Sequence, residues 1–157
     1  MTLHILSVRL NRRAIGAVVL TDDALTLMDG RHLTSQRERA VPTAVRYIDR
    51  LLDQSGAGAV VIDAPASVEG STTTRLRDGI VGLLTSRGVM PLLMTKAEIL
   101  AAYGLSPVRT RNQVREIVTG FWPELARIAG RVKPYAADAA AAALYAECRM
   151  HLSPEPS

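Results

Sequence analysis

Between residues 3 and 33 the chain carries three apolar or alternating runs with almost nothing between them. Residues 3–9 and 14–20 (AIGAVVL) are separated by Leu10-Asn11-Arg12-Arg13 alone. Thr21-Asp22-Asp23 then makes a turn before ALTLMDGRHL, which alternates with the period of two expected of a half-buried strand. Such short links can only reverse the chain, because parallel neighbours need a crossover of about a dozen residues or more. The segment is therefore predicted to form an antiparallel meander of three strands. An all-helical architecture is excluded at the outset.

Beyond residue 33 the chain alternates between helix and strand. Val41, Ala44, Val45, Ile48, Leu51 and Leu52 keep helical spacing, and Gly56 closes that helix. GAVVID at 58–63 is a short apolar run after a helix, which predicts a central strand parallel to the first. Glu69-Gly70-Ser71-Thr72-Thr73-Thr74 leads into a helix over 72–87 with Leu76, Ile80, Leu83 and Leu84 inward, and VMPLLM at 89–94 supplies a fifth strand. Helices are predicted over 96–103 and 110–119, divided by Gly104 and Pro107. A last one over 136–150 is nearly all alanine on one side and able to lie very close to a sheet. Residues 1–150 are expected to form one domain and 151–157 a flexible tail. The order β-β-β-α-β-α-β-α-α-α is that of the ribonuclease H-like fold: an α/β architecture with a five-stranded mixed sheet and helices on both faces.

Composition narrows the setting. With 157 residues and 48% hydrophobic content the chain can bury one ordinary core, and at 4% aromatics that core must be built from Leu, Val, Ile and Ala. The single cysteine, Cys148, excludes an internal disulfide and a thiolate metal site. Arg9, Arg12 and Arg13 interrupt the first apolar run too early for a signal peptide, and no stretch is long enough for a bilayer, so a cytoplasmic protein with no membrane partner is expected. Net charge is +4, and every basic residue except Lys96 and Lys133 is arginine. Guanidinium forks suit phosphate oxygens, but a GC-rich genome also favours Arg codons, so the placement of the charge matters more than its amount.

The second half of the chain resembles the RuvC family of Holliday-junction resolvases. The resemblance rests on TKAEILAAYGLSPVRTRNQVREIV at 95–118: a helix bearing Lys96, then Gly104, a basic loop with Arg109, and Arg111 before Gln113-Val114. VVID followed by a loop and RLRDGIVGLL, and the closing YAADAAAAALYA, fit the same pattern. The resemblance implies four carboxylates holding two divalent ions about 4 Å apart, which clamp the attacking water and the leaving oxygen of a phosphodiester. The family's acids lie at the end of the first strand, at the end of the fourth, and one helical turn apart at the start of the last helix. In this chain those positions fall on Arg9, Asp63, Tyr135 and Asp138. Two of the four ligands are missing, and one of the missing pair has become a permanent cation. Arg9 beside Asp63 and Asp138 would take the place of the metal's charge. The expectation is a catalytically impaired member with no metal bound; Mg or Mn, on Asp63 and Asp138, would be the cofactor if cleavage survives.

Blander readings stand beside this one. Asp63 could cap a loop, Asp138 could answer a helix dipole, and Tyr135 could simply pack. Glu69 is the one acid placed to replace a lost ligand, since Asp22 and Asp23 lie in a hairpin turn. Residues 99–115 hold Arg109, Arg111 and Arg115 and no acid, which predicts phosphate contacts; Arg75, Arg77 and Lys96 extend that track, while Arg127, Arg131 and Lys133 read as a second basic patch of no special role. Trp122 with Phe121 reads as a core plug at a helix end. The resemblance further implies junction-like DNA as partner, a role in recombination or repair, and a homodimer with its seam on the 72–87 helix. Two alternatives remain open: a working metal-dependent endonuclease with a rearranged acidic site, and a protein-interaction module.

Overall fold

The short links do produce a meander. A computed structural model of the chain describes residues 2–33, 36–65, 68–104 and 110–152. β1 (His4–Leu10), β2 (Ala14–Thr21) and β3 (Ala24–His32) pair antiparallel in sequence, with Asp22 and Asp23 alone forming the second reversal. Both aspartates have positive φ, 48° and 66°, which suits the right-handed twist of a two-residue hairpin and which short polar side chains tolerate. α1 (Arg37–Ser55) comes next and ends at Gly56, whose φ of 61° lets its N–H close on Leu52 O. β4 (Ala59–Asp63) then enters the sheet parallel to β1, and β5 (Pro91–Met94) lies parallel to β4 outside it. The resulting order is β3-β2-β1-β4-β5.

Two hydrophobic clusters cover the two faces of this sheet. Leu6, Val8 and Leu10 point from β1 toward α1 and α2 (Thr72–Ser86), where Ile48, Leu51, Leu76 and Ile80 meet them. Ile5 points the other way, toward α3 (Lys96–Tyr103), α4 (Arg111–Phe121) and α5 (Lys133–Leu152). Parity puts Arg9 on that second face as well. α5 carries Ala136, Ala137 and Ala139 to Ala143 buried all round, and this smallness lets its backbone approach the sheet closely. The sheet answers with glycine: a Cβ on Gly16 would fall 2.1 Å from the Tyr135 carbonyl carbon. The helix therefore lies directly on β2.

Several boundaries differ from the sequence reading, each for a local reason. α5 starts three residues earlier than expected, with Pro134 tolerated in its first turn. Val89 and Met90 lie outside β5: Gly88 turns the chain at φ 72°, and Val89 N–H returns to Leu84 O at 2.9 Å. Two short 3-10 turns, Pro123–Arg127 and Gly130–Val132, precede α5 without a periodic pattern in the sequence to announce them. Trp122 is buried at the end of α4, its indole N–H donating to Asp23 O at 3.0 Å, but Phe121 beside it is 65% exposed and plugs nothing. Pro107 and the 153–157 part of the expected tail lie outside the described residues.

Candidate functional site

Arg9 and Asp63 are register partners on neighbouring parallel strands. Both sit at the carboxyl ends of their strands, where connections leave the sheet and side chains from helices can converge. Asp138 comes from the early turns of α5, held against the sheet by its alanines. The Arg9 Nε lies 3.3 Å from Asp138 Oδ2 and 3.7 Å from Asp63 Oδ2, while a further N–H of the same guanidinium donates to Leu10 O. Three of the four positions singled out by the resemblance thus meet in one cluster. The fourth, Tyr135, is half-buried at its edge, with the Arg9 guanidinium carbon 5.9 Å from its ring centre.

Two further arginines complete the cluster, both of them residues for which the sequence suggests phosphate contact instead. α4 begins with a capping box: Thr110 Oγ1 accepts from Gln113 N–H, and the Gln113 side chain accepts from Thr110 N–H. That fixed start turns residues 111, 114, 115 and 118 to one side, where Val114 and Val118 are buried against the sheet. Arg111 and Arg115 share this inward side. Arg111 forks onto Asp63 with Nη1–Oδ2 at 2.9 Å and Nη2–Oδ1 at 3.0 Å. Arg115 forks onto Asp138 with Nε–Oδ1 and Nη2–Oδ2 both at 2.8 Å, and its Nη1 donates to Asn112 Oδ1 at 3.0 Å. Bidentate, charge-assisted pairs of this kind are the strong ones.

The site is therefore five ionic side chains: three guanidinium groups around two carboxylates, with one positive charge in excess. The aspartates are 0% and 2% exposed and Arg9 is 8% exposed, so little water screens them. Burial lowers the pKa of Arg9 from the ordinary arginine value and Arg111 adds to that effect, while the charges of Asp63 and Asp138 oppose it. Burial also works against Arg111, but its hydrogen bond to Asp63 and the two carboxylate charges outweigh it, and its pKa is raised. Both remain cations under any ordinary condition.

This donor set does not fit a magnesium ion. Every oxygen of both carboxylates already accepts a guanidinium N–H, and magnesium demands several hard oxygen ligands in octahedral array. The remaining positions offer a guanidinium and a phenol. A dication held about 5 Å from one arginine would meet a repulsion of about 7 kcal/mol at an effective dielectric of ~20. Among the described residues no three His, Cys, Asp or Glu side chains stand close enough to share a metal. Glu69, the one candidate replacement, lies exposed in a turn.

The other predicted contacts are distributed over the surface. Arg75 and Lys96 are exposed in the first turns of α2 and α3, and Arg77 pairs with Asp78 at 3.5 Å. Arg109 lies outside the described residues. Sequence reasoning gives Arg111 and Arg115 an outward role and misses the part Asn112 plays in holding Arg115. A signal for the inward role exists: both arginines fall on the same helical side as Val114 and Val118, the side a core would claim.

The sheet order and the parallel β1-β4-β5 trio, with helices on both faces, define a ribonuclease H-like fold. The RuvC of Thermus thermophilus shares it, with a TM-score of 0.74 at 14% identity over 95% of this chain and 97% of that one. RuvC of T. thermophilus in complex with a Holliday junction substrate gives 0.77 at 13% identity, covering 96% of each chain. The yeast mitochondrial Holliday junction resolvase Ydc2 gives 0.66 at 11% identity over 96% of this chain and 81% of that one. No family pattern and no curated protein sequence matches the chain. Likeness at this identity carries the fold. No helix among the described residues is long and apolar enough to cross a membrane.

Proposed function

We propose that this chain binds branched or otherwise structured DNA on a RuvC-type scaffold and does not cleave it by the two-metal route. The single observation that carries the reading is the forked pairing of Asp63 with Arg111 and of Asp138 with Arg115, with Arg9 between them. The carboxylates stand where the resemblance implies catalytic acids, and each is neutralised by protein cations in place of metal. DNA as partner is supported by the fold shared with a RuvC described in complex with a Holliday junction substrate, and by a net charge of +4 carried almost wholly on arginine. A four-way junction has two-fold symmetry, which a homodimer joined through α2 would match. A role in recombination or repair in the cytoplasm is consistent with this reading.

The test is a synthetic four-way junction incubated with the chain in magnesium or manganese, beside the Asp63→Asn variant. The expected result is a salt-sensitive complex with no nicking above that of the variant. Metal-dependent nicking that Asp63→Asn abolishes would identify a working endonuclease and overturn the proposal. Absence of any salt-sensitive complex would instead favour the protein-interaction module.

A further inference from the structure

Close packing of α5 on the sheet has a second effect, beside the arginine–aspartate cluster. A Cβ on Gly30 would fall 2.4 Å from Val132 Cβ, just as one on Gly16 would strike the Tyr135 backbone. These two glycines draw the 130–132 turn and the start of α5 down onto β2 and β3. The segment brings Arg131 to the end of the sheet where the β1–β2 turn carries Arg12 and Arg13 and where β3 finishes at His32. Between them lies a groove of about 670 Å³ lined by Arg12, Arg13, His32, Arg131, Pro134 and Tyr135.

Its lining is of one electrostatic sign. Three guanidinium groups and an imidazole border it, no carboxylate among the described residues does, and all four side chains are exposed. They come from segments up to more than a hundred residues apart in sequence, so the patch is a product of the fold. The rest of the wall is apolar or aromatic: Pro134 and the half-buried ring of Tyr135, the same ring that stands near Arg9. The volume falls in the range of clefts that take small ligands, about 300–1,000 Å³, enough for a nucleotide or two.

We propose that this groove holds a short single-stranded nucleic-acid segment, its phosphates on Arg12, Arg13 and Arg131 and a base against Tyr135. A cationic groove combined with an aromatic face is the combination that recognises single strands, because a duplex keeps its base faces stacked inside and offers phosphates alone. The proposal rests on the DNA-binding reading above and names the form of strand that the surface beside the cluster takes.

The test is a titration of fluorescein-labelled oligothymidylate against the full chain at several salt concentrations, with the four-way junction measured in parallel. The Arg12→Ala/Arg13→Ala/Arg131→Ala variant is expected to bind the oligomer at least tenfold more weakly. Its log-log salt slope should be shallower by about 2, at ~0.7 per single-strand phosphate contact. Tyr135→Ala should lose roughly tenfold while Tyr135→Phe keeps its affinity, since a phenyl ring stacks as well. Arg46→Ala/Arg50→Ala, which removes two charges from α1, serves as the control for bulk charge and should change little. Equal loss in that control, or an unchanged triple variant, overturns the groove. If the wild-type chain binds the junction but not oligothymidylate, the groove proposal fails and the junction reading survives. If it binds neither, both fail.

Discussion

Asp63 is fully buried and satisfied on both oxygens by one residue, Arg111, with Arg9 close by. Removing one partner of such a pair leaves a charge stranded out of water, which costs far more than the pair itself contributes. Arg111→Ala is accordingly expected to destabilise the chain by about 3 kcal/mol, seen as a lower urea midpoint at unchanged slope. Asp138→Asn should cost a similar amount, because Arg9 and Arg115 lose the negative charge they share and one of its two acceptor oxygens becomes a donor. The double change Asp63→Leu/Arg111→Leu should cost clearly less than Arg111→Ala alone, since it strands neither charge. A double variant no better than the single would mean that the fork contributes more than the relief of burying a bare carboxylate. Asp63, Asp138 and Arg9 could be grouped from the sequence because the resemblance to the resolvase family implies acids at two strand ends and a helix start, and those positions fall on these residues. Helical spacing with Val114 and Val118 marks the inward side of Arg111 and Arg115, but that they meet Asp63 and Asp138 there depends on where α4 sits on the sheet.

At the scale of elements, α5 presses on β2 so closely that glycine alone permits the contact. Gly16→Ala sets a methyl group against the Tyr135 backbone, which cannot swing aside as a side-chain tip could. A loss of about 3 kcal/mol, or failure to fold, is expected. Gly82 makes the opposite case, lying mid-helix in α2 and exposed, with nothing within 4 Å of an added Cβ. Gly82→Ala should raise stability by about 0.5–1 kcal/mol through helix propensity, and thermal melts of the two variants should move in opposite directions. Two phenols, Tyr47 buried and Tyr103 half-buried, also tie elements together: Tyr47 of α1 donates to Asp29 on β3 at 3.0 Å, and Tyr103 of α3 donates to Ala141 O on α5 at 2.6 Å. Burial raises both above the ordinary phenol pKa, helped at Tyr47 by Asp29 and at Tyr103 by Cys148. A raised folded pKa means that the folded chain keeps a proton the unfolded chain has released. That stabilisation is whole below about pH 10 and is lost as pH climbs beyond it. Tyr47→Phe/Tyr103→Phe should therefore be weaker near neutrality by about 2 kcal/mol but show a flatter alkaline limb in denaturation measured from pH 8 to 12.

For the whole molecule, the distribution of charge decides behaviour more than its sum. Arg111 and Arg115 are engaged by carboxylates, so they are expected to add little to the salt dependence of junction binding. Alanine variants of exposed Arg75 and Lys96 should each flatten that dependence by about 0.9 in log-log slope if they lie on the DNA track. Unchanged slopes in both would remove them from it.

The fold was readable because its signals are local. Period-two runs, short links between the first three strands, the glycine after α1 and an alanine-rich final helix each act over a few residues, and together they give the order of elements. Those elements, with the pattern of acids that the resemblance implies, located Arg9, Asp63 and Asp138. The use the chain makes of them did not, since it turns on interactions between residues far apart in sequence. The rotation of α4 converts two expected phosphate ligands into counter-ions for buried acids. The descent of α5 onto Gly16 and Gly30 brings Arg131 beside Arg12 and Arg13. Both are consequences of close packing between whole elements, and a local pattern marks at most which side of a helix faces inward, not which groups it meets there.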